Sequence, residues 1–388
     1  RWGKIILSSQ KGAKQGRMIY LDYAATSPVY PAVLDEMNAV SRDFFANPSS
    51  LYTIGYSARK ILHSSRAEMA GSINCETDEI VFTSGGTESN NLALFGVLRA
   101  DPKKKHLIVG CTEHQSILSA AHALEREGYA LSILPCDHNG CYSPQELQRL
   151  LRCDTALVSL QIANHETGVL QPIAEIGATT RARHIPLHCD AVAAYGHIPL
   201  DVRALKIDLM STAAHKIGGP RGAGFLFVRN EIALFPLFFG GSQEHSLRPG
   251  TENLPAIAGF AKALRLSTLP ASSDVISRLQ TLLIARFPDC RINGGSVPRL
   301  PHILNVTFPG VSGERLLYQL SAMGIYVSMR SACAGGEREP SHVLTAMGLT
   351  PAEASATLRF SSGFGSKLSD ADETSNAIDF VVNCHNCT

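Results

Sequence analysis

Between about residue 70 and residue 235, short apolar runs alternate with amphipathic stretches, and this alternation narrows the folds open to the chain more than any other feature. "EIVFTSG" leads into "TESNNLALFGVLRA", and "KHLIVGC" leads into "SILSAAHALEREG". "YALSILPC", "TALVSLQIAN", "IPLHCDAV", "IDLMSTAA" and "GAGFLFV" follow. Several of these runs are apolar at nearly every residue, as in strands covered on both faces. The pattern predicts an α/β fold whose large domain holds a mainly parallel, mixed sheet. After residue 255 the pattern changes. A helical stretch over about 255–288 precedes "ILNVTF", "GERLLYQLSAMG", "IYVSM", a polar loop, "EPSHVLTAMGL" and "ATLRFSS". This reads as a smaller α+β domain. Its last helix lies near "SDADETSNAIDFVVN", with Ser369 placed to cap it and acidic residues in the first turn.

With 388 residues the chain is long enough for two domains and a substantial core. Its 35 basic and 34 acidic residues leave a net charge of +1, which argues against nucleic acid or an anionic membrane surface as partner. No apolar run reaches the roughly 18 residues a membrane helix needs. Ten cysteines without a dense framework suggest a reducing compartment, and the cytoplasm is the expected location. "CHNC" (Cys384 to Cys387) has the spacing of a metal pair but ends the chain without a second pair, so it reads as a tail. Residues 1–17 carry five basic and no acidic residues and read as an extension outside the fold, with Met18 as a natural start. If that extension is native, an organellar matrix is the alternative location.

Five stretches carry residues suited to chemistry. "FTSGGTESNN" (82–91) puts two glycines and Thr87 between a strand and a helix, where free N–H groups hold phosphate well; a tight turn with a threonine cap explains it equally. "HCDAVAAYG" (188–196) ends an apolar strand on Asp190, a carboxylate that is costly there without a partner. "CTEHQS" and "ANHETG" place His114, Asn164 and His165 at two more strand ends. "STAAHKIGGPRG" (211–222) sets His215 and Lys216 where a strand gives way to a loop, the position in which α/β proteins tend to hold their chemistry. Singly, each has a structural explanation. Together they place a phosphate cradle, an aspartate, a flat histidine and a lysine along one sheet edge. That set suits pyridoxal phosphate: lysine holds the aldehyde, aspartate keeps the ring nitrogen protonated, and the loop holds the phosphate.

The chain also resembles the NifS/IscS-like cysteine desulfurases and the related selenocysteine lyases, pyridoxal phosphate enzymes of the class V aminotransferase group. The likeness runs from "IYLDYAATSPV" near residue 19 to "ATLRFSSG" near 363, by way of "NPSS", "FTSGGTESNN", "TEHQS", "ANHETG", "HCDAVA", "AHKIGGPRG", "RPGTEN", "SAC" and "EPSHVL". It implies a fold-type I transferase, with a large domain over 31–260 and a small one built from 18–30 with 261–388. Lys216 resembles the lysine that binds the cofactor and moves the substrate's Cα proton. His114 resembles the ring-stacking residue and Asp190 the partner of the ring nitrogen. Gly86, Thr87 and His215 would hold the phosphate, joined by Thr251 from a second subunit. Asn164 and Arg359 would orient the substrate, Arg359 through its carboxylate. Cys333, flanked by Arg330 and Ser331, resembles the nucleophile that takes the substrate's sulfur as a persulfide.

The implied reaction converts L-cysteine to L-alanine in a homodimer and passes sulfur to an acceptor for iron–sulfur cluster assembly or thiolation. Selenocysteine lyase or another carbon–sulfur lyase on the same fold, and a catalytically degenerate scaffold subunit, are the alternatives. Four positions depart from the family's pattern. Ala193 and Ala213 stand where glutamine and serine are usual, Arg330 where glycine is, and His165 where a second asparagine is. Each neutral hydrogen bond lost to a cofactor costs roughly 0.5–1.5 kcal/mol.

Overall fold

The computed structural model describes residues 17–267, 273–329 and 340–383. Cys333, Arg330 and the Cys384–Cys387 pair lie outside these residues.

All seven apolar runs form strands of one sheet. In chain order they are β2 (Ile80–Thr83), β3 (His106–Gly110), β4 (Ala130–Leu134), β5 (Thr155–Gln161), β6 (Leu187–Asp190), β7 (Leu209–Ser211) and β8 (Gly224–Val228). The spatial order is β2-β8-β7-β6-β5-β3-β4. Neighbours pair in parallel from β7 through β4, whereas β8 runs antiparallel to both β7 and β2. The near-continuous apolar character has a direct cause. Where alternate residues of a strand enter two different cores, both must be apolar. In β8, Phe225 and Phe227 join one core while Leu226 and Val228 join the other. Helices α1 (Pro31–Asp43), α2 (Thr53–Ser72), α3 (Gly86–Ala100) and α4 (Gln115–Arg126) cover these faces with their buried sides.

A third core draws on both ends of the chain. It joins Ile19 and Leu21 with Leu279, Leu304, Val306, Leu316, Leu358, Phe360 and Ile378. Around it, β10 (Ile303–Thr307) pairs antiparallel with both β12 (Thr357–Ser361) and β9 (Arg291–Ile292), and β1 (Ile19–Tyr20) pairs in parallel with β11 (Ile325–Tyr326). The stretch expected to be helical over 255–288 holds two helices, Leu254–Leu266 and Asp274–Arg286. The last helix runs Leu368–Asn383, which puts Ser369 inside the first turn rather than at its cap. Asp370 takes the capping task instead, accepting from the Lys367 N–H at 2.8 Å. Among the described residues, no helix is long and apolar enough to cross a membrane.

Candidate active site

Parallel register decides where the chemistry lies. Gly110 pairs with Leu134, Gln161 with Asp190, and Asp190 with Ser211, so these strands end together at one edge. β2 ends on the same edge, since two antiparallel pairings through β8 restore its direction. There a cavity of about 150 Å³ is lined by Gly86, Thr87, His114, His165, Asp190, Ala193, His215, Lys216 and Arg359, among others.

Each wall residue is held by its own local structure. Gly85 precedes α3 at a φ of 145°, a conformation that favours glycine, and makes the turn that aims the helix start at the cavity. This glycine, rather than Thr87, is the N-cap; Thr87 stands in the first turn. A Cβ on Gly86 would lie 2.5 Å from Val192 Cγ2, so the approach of helix to loop needs glycine. Lys216 closes a 3₁₀ turn over Ala214–Lys216, after β7, and its Nζ donates to the carbonyls of Ala24 at 2.6 Å and Ala25 at 2.9 Å. His215 Nδ1 lies 3.2 Å from Thr26 Oγ1. Burial, aided by the neighbouring Lys216 charge, lowers the His215 pKa to about 4, so its ring is neutral near pH 7.

Asp190, 7% exposed, meets the cost of burial with two donors. Its Oδ1 accepts from Val192 N–H at 2.9 Å and its Oδ2 from Asn90 Nδ2 at 2.8 Å. Asn90 Nδ2 also donates to Ser116 Oγ at 2.8 Å, and that hydroxyl lies 2.8 Å from His114 Nδ1. Because Nδ1 also accepts from the Ser116 N–H at 3.1 Å, the neutral His114 ring carries its proton on Nε2. Desolvation by burial lowers the His114 pKa. The rings of His114 and His165 meet edge to face, 5.3 Å between centroids. Burial drives the His165 pKa well below its ordinary value, and the cations around it act in the same direction.

Arg359, 1% exposed, donates from Nη1 to His165 O at 2.9 Å and from Nη2 to Asp22 Oδ1 at 2.7 Å. Two expected residues stand apart from the cavity wall. The Asn164 side chain is taken up by backbone groups: Oδ1 accepts from the N–H groups of Glu166 and Thr167 in its own turn, and Nδ2 donates to Thr112 O, just past β3. Thr251 is exposed and outside the wall. Of the departures, Ala193 and His165 line the cavity, whereas Ala213 is buried and outside its wall. Asn90, Ser116 and Asp22 are site residues that the sequence reading did not single out. For Asn90 a signal was available, four residues after Gly86 and so on the same helix face.

The chain belongs to the class-V aminotransferase family, whose pattern it matches over residues 19–373. Within that family it belongs with the cysteine desulfurases. It is 40% identical to cysteine desulfurase IscS of Methanosarcina thermophila, with 95% of this chain and 93% of that one covered. With cysteine desulfurase IscS of Dictyoglomus turgidum it shares 39%, over 94% and 95% of the two chains. Among solved structures, a NifS-like protein superposes with a TM-score of 0.88 at 31% identity, over 95% of this chain and all of that one. SspA, solved in complex with cysteine, gives 0.81 at 34% identity, over 88% and 98%.

Proposed function

We propose that this chain is a pyridoxal phosphate-dependent cysteine desulfurase, which frees L-alanine from L-cysteine and hands the sulfur on from Cys333. The carrying observation is the convergence of Lys216, Asp190, His114, His215, the Gly86–Thr87 helix start and Arg359 on one cavity. The donor set fits the cofactor. The α3 N-terminus with His215 offers an anion cradle, and a buried carboxylate faces the same space. Lys216 supplies the amine. Ala193 on the wall and Ala213 outside it each remove one polar contact that the resemblance implies, and the rest of the set stays in place.

When bound, pyridoxal phosphate supplies an electron sink for negative charge at the substrate's Cα. The chain's own residues do the remainder. Asp190, kept in place by Asn90 and Val192, would hold the proton on the ring nitrogen. His114, its Nδ1 engaged by Ser116, would present a neutral ring face to the cofactor. Lys216 would bind the aldehyde and move the Cα proton, and Arg359 would orient the substrate's carboxylate. Cys333, as thiolate, would attack the substrate's sulfur; the C–S electron pair returns to the alanine carbon and the sulfur stays as a persulfide. A homodimer is part of the proposal, with exposed Thr251 completing the partner's phosphate site, as is an acceptor protein for the sulfur.

A visible absorption spectrum tests the reading. Addition of pyridoxal phosphate should produce a new band that changes on addition of L-cysteine, with sulfide released in the presence of a reductant. Lys216→Ala should abolish the band and the release together. Sulfide release undiminished in Lys216→Ala would overturn the proposal.

A further inference from the structure

We infer that Asp22 is an internal competitor for Arg359 and so sets how tightly the site takes its substrate's carboxylate. This rests on the function proposed above.

Arg359 stays oriented without Asp22. Its backbone pairs with Asn305 of β10 on one side and exchanges hydrogen bonds with Ser328 on the other, at 3.1 and 2.6 Å. Its Nη1 is fixed on His165 O. Its Nε is buried and has no hydrogen-bond partner among the described residues, so the guanidinium keeps a donor in reserve. Asp22 is less confined. Its side chain is 20% exposed against 2% for that of Arg359, and its carboxylate is tied to Nη2 at 2.7 Å. The next carbonyls along, Ala24 and Ala25, hold the Lys216 ammonium. One N-terminal stretch thus meets both cationic groups of the site.

A buried guanidinium without a counter-charge is costly, and Asp22 supplies that charge before any ligand arrives. A ligand carboxylate then either shares Arg359 with a like charge or displaces Asp22 from it. Both routes reduce the net gain from the new pair. Neutralising Asp22 therefore tightens carboxylate binding, whereas a residue that merely positioned Arg359 would loosen binding when changed.

The probe is 3-mercaptopropionate, a thiol carboxylate with no amine to engage the cofactor's aldehyde. Its affinity is measured by calorimetry on the full chain, with and without pyridoxal phosphate. Asp22→Asn and Asp22→Ser should each bind it about tenfold more tightly than wild type, the equivalent of about 1.4 kcal/mol. Asp22→Glu, which keeps the charge, should bind at the wild-type level, and Arg359→Gln should lose binding. Equal or weaker binding by both neutral variants, with Arg359→Gln still defective, overturns the competition and leaves the proposed function standing. Wild-type affinity in Arg359→Gln places the carboxylate elsewhere and removes both the competition and the role given to Arg359.

Discussion

Lowering the pH should weaken the strand that carries Asp190, and His188 sets the size of the effect. His188 lies in β6, fully buried, with Nδ1 2.8 Å from Ser159 Oγ in β5 and Nε2 2.9 Å from Ser211 Oγ in β7. Burial lowers its pKa from 6.5 to about 3. The unfolded chain therefore binds a proton that the native state refuses. Stability from this group is full above about pH 6.5 and drains as pH falls towards about 3. At roughly 1.4 kcal/mol per pH unit, the loss between pH 7 and pH 5 is about 2 kcal/mol. Urea unfolding at these two pH values measures it. His188→Gln should be less stable than wild type at pH 7, having lost a fitted pair of hydrogen bonds, yet its loss on going to pH 5 should be about 2 kcal/mol smaller. His197, lowered to about 4 by burial, remains in both proteins and cancels in the comparison. An identical pH 7-to-5 loss in wild type and His188→Gln would show that the buried histidine takes up its proton in the native state, and the reasoning would fail.

Two further outcomes bear on the cavity. Gly86→Ala forces a methyl to within 2.5 Å of the stiff Val192 side chain, whose N–H also serves Asp190, so it should lower stability by about 1–3 kcal/mol and weaken pyridoxal phosphate uptake in equilibrium dialysis. Asn90→Leu removes a donor from a buried carboxylate and should cost about 1.5–3 kcal/mol in urea unfolding at pH 7, whereas a cost under 0.5 kcal/mol would mean that another donor replaces it.

Much of this site was legible in the sequence because its residues directly follow apolar runs. A parallel sheet brings the ends of such runs to one edge, so Asp190, His114 and Lys216 needed no distance information to be grouped. The same logic groups Asn164 with the wall, whereas the structure leaves its side chain outside it. A short polar side chain beside a glycine turn has its own backbone as an available partner, and Asn164 serves the turn while its neighbour His165 faces the cavity. Ser369 failed for a related reason: the helix begins at Leu368, two residues before the start that a Ser369 cap would give, and the Asp370 carboxylate reaches back to the free N–H.

What the sequence could not show is the closure of the site by its own N-terminal stretch. Asp22 and Arg359 stand 337 positions apart, and no local pattern links them. Their meeting follows from the third core, where Ile19 of β1 and Leu21 just after it are buried with Leu358 and Phe360 of β12. The bridge between Asp22 and Ser361 then fixes which residues of the two segments face each other. Burial of four apolar side chains thereby sets a carboxylate on the arginine and two carbonyls on the lysine. The edge of the large sheet presents the chemistry, and the packing of these two segments sets Asp22 on Arg359 and the Ala24 and Ala25 carbonyls on Lys216.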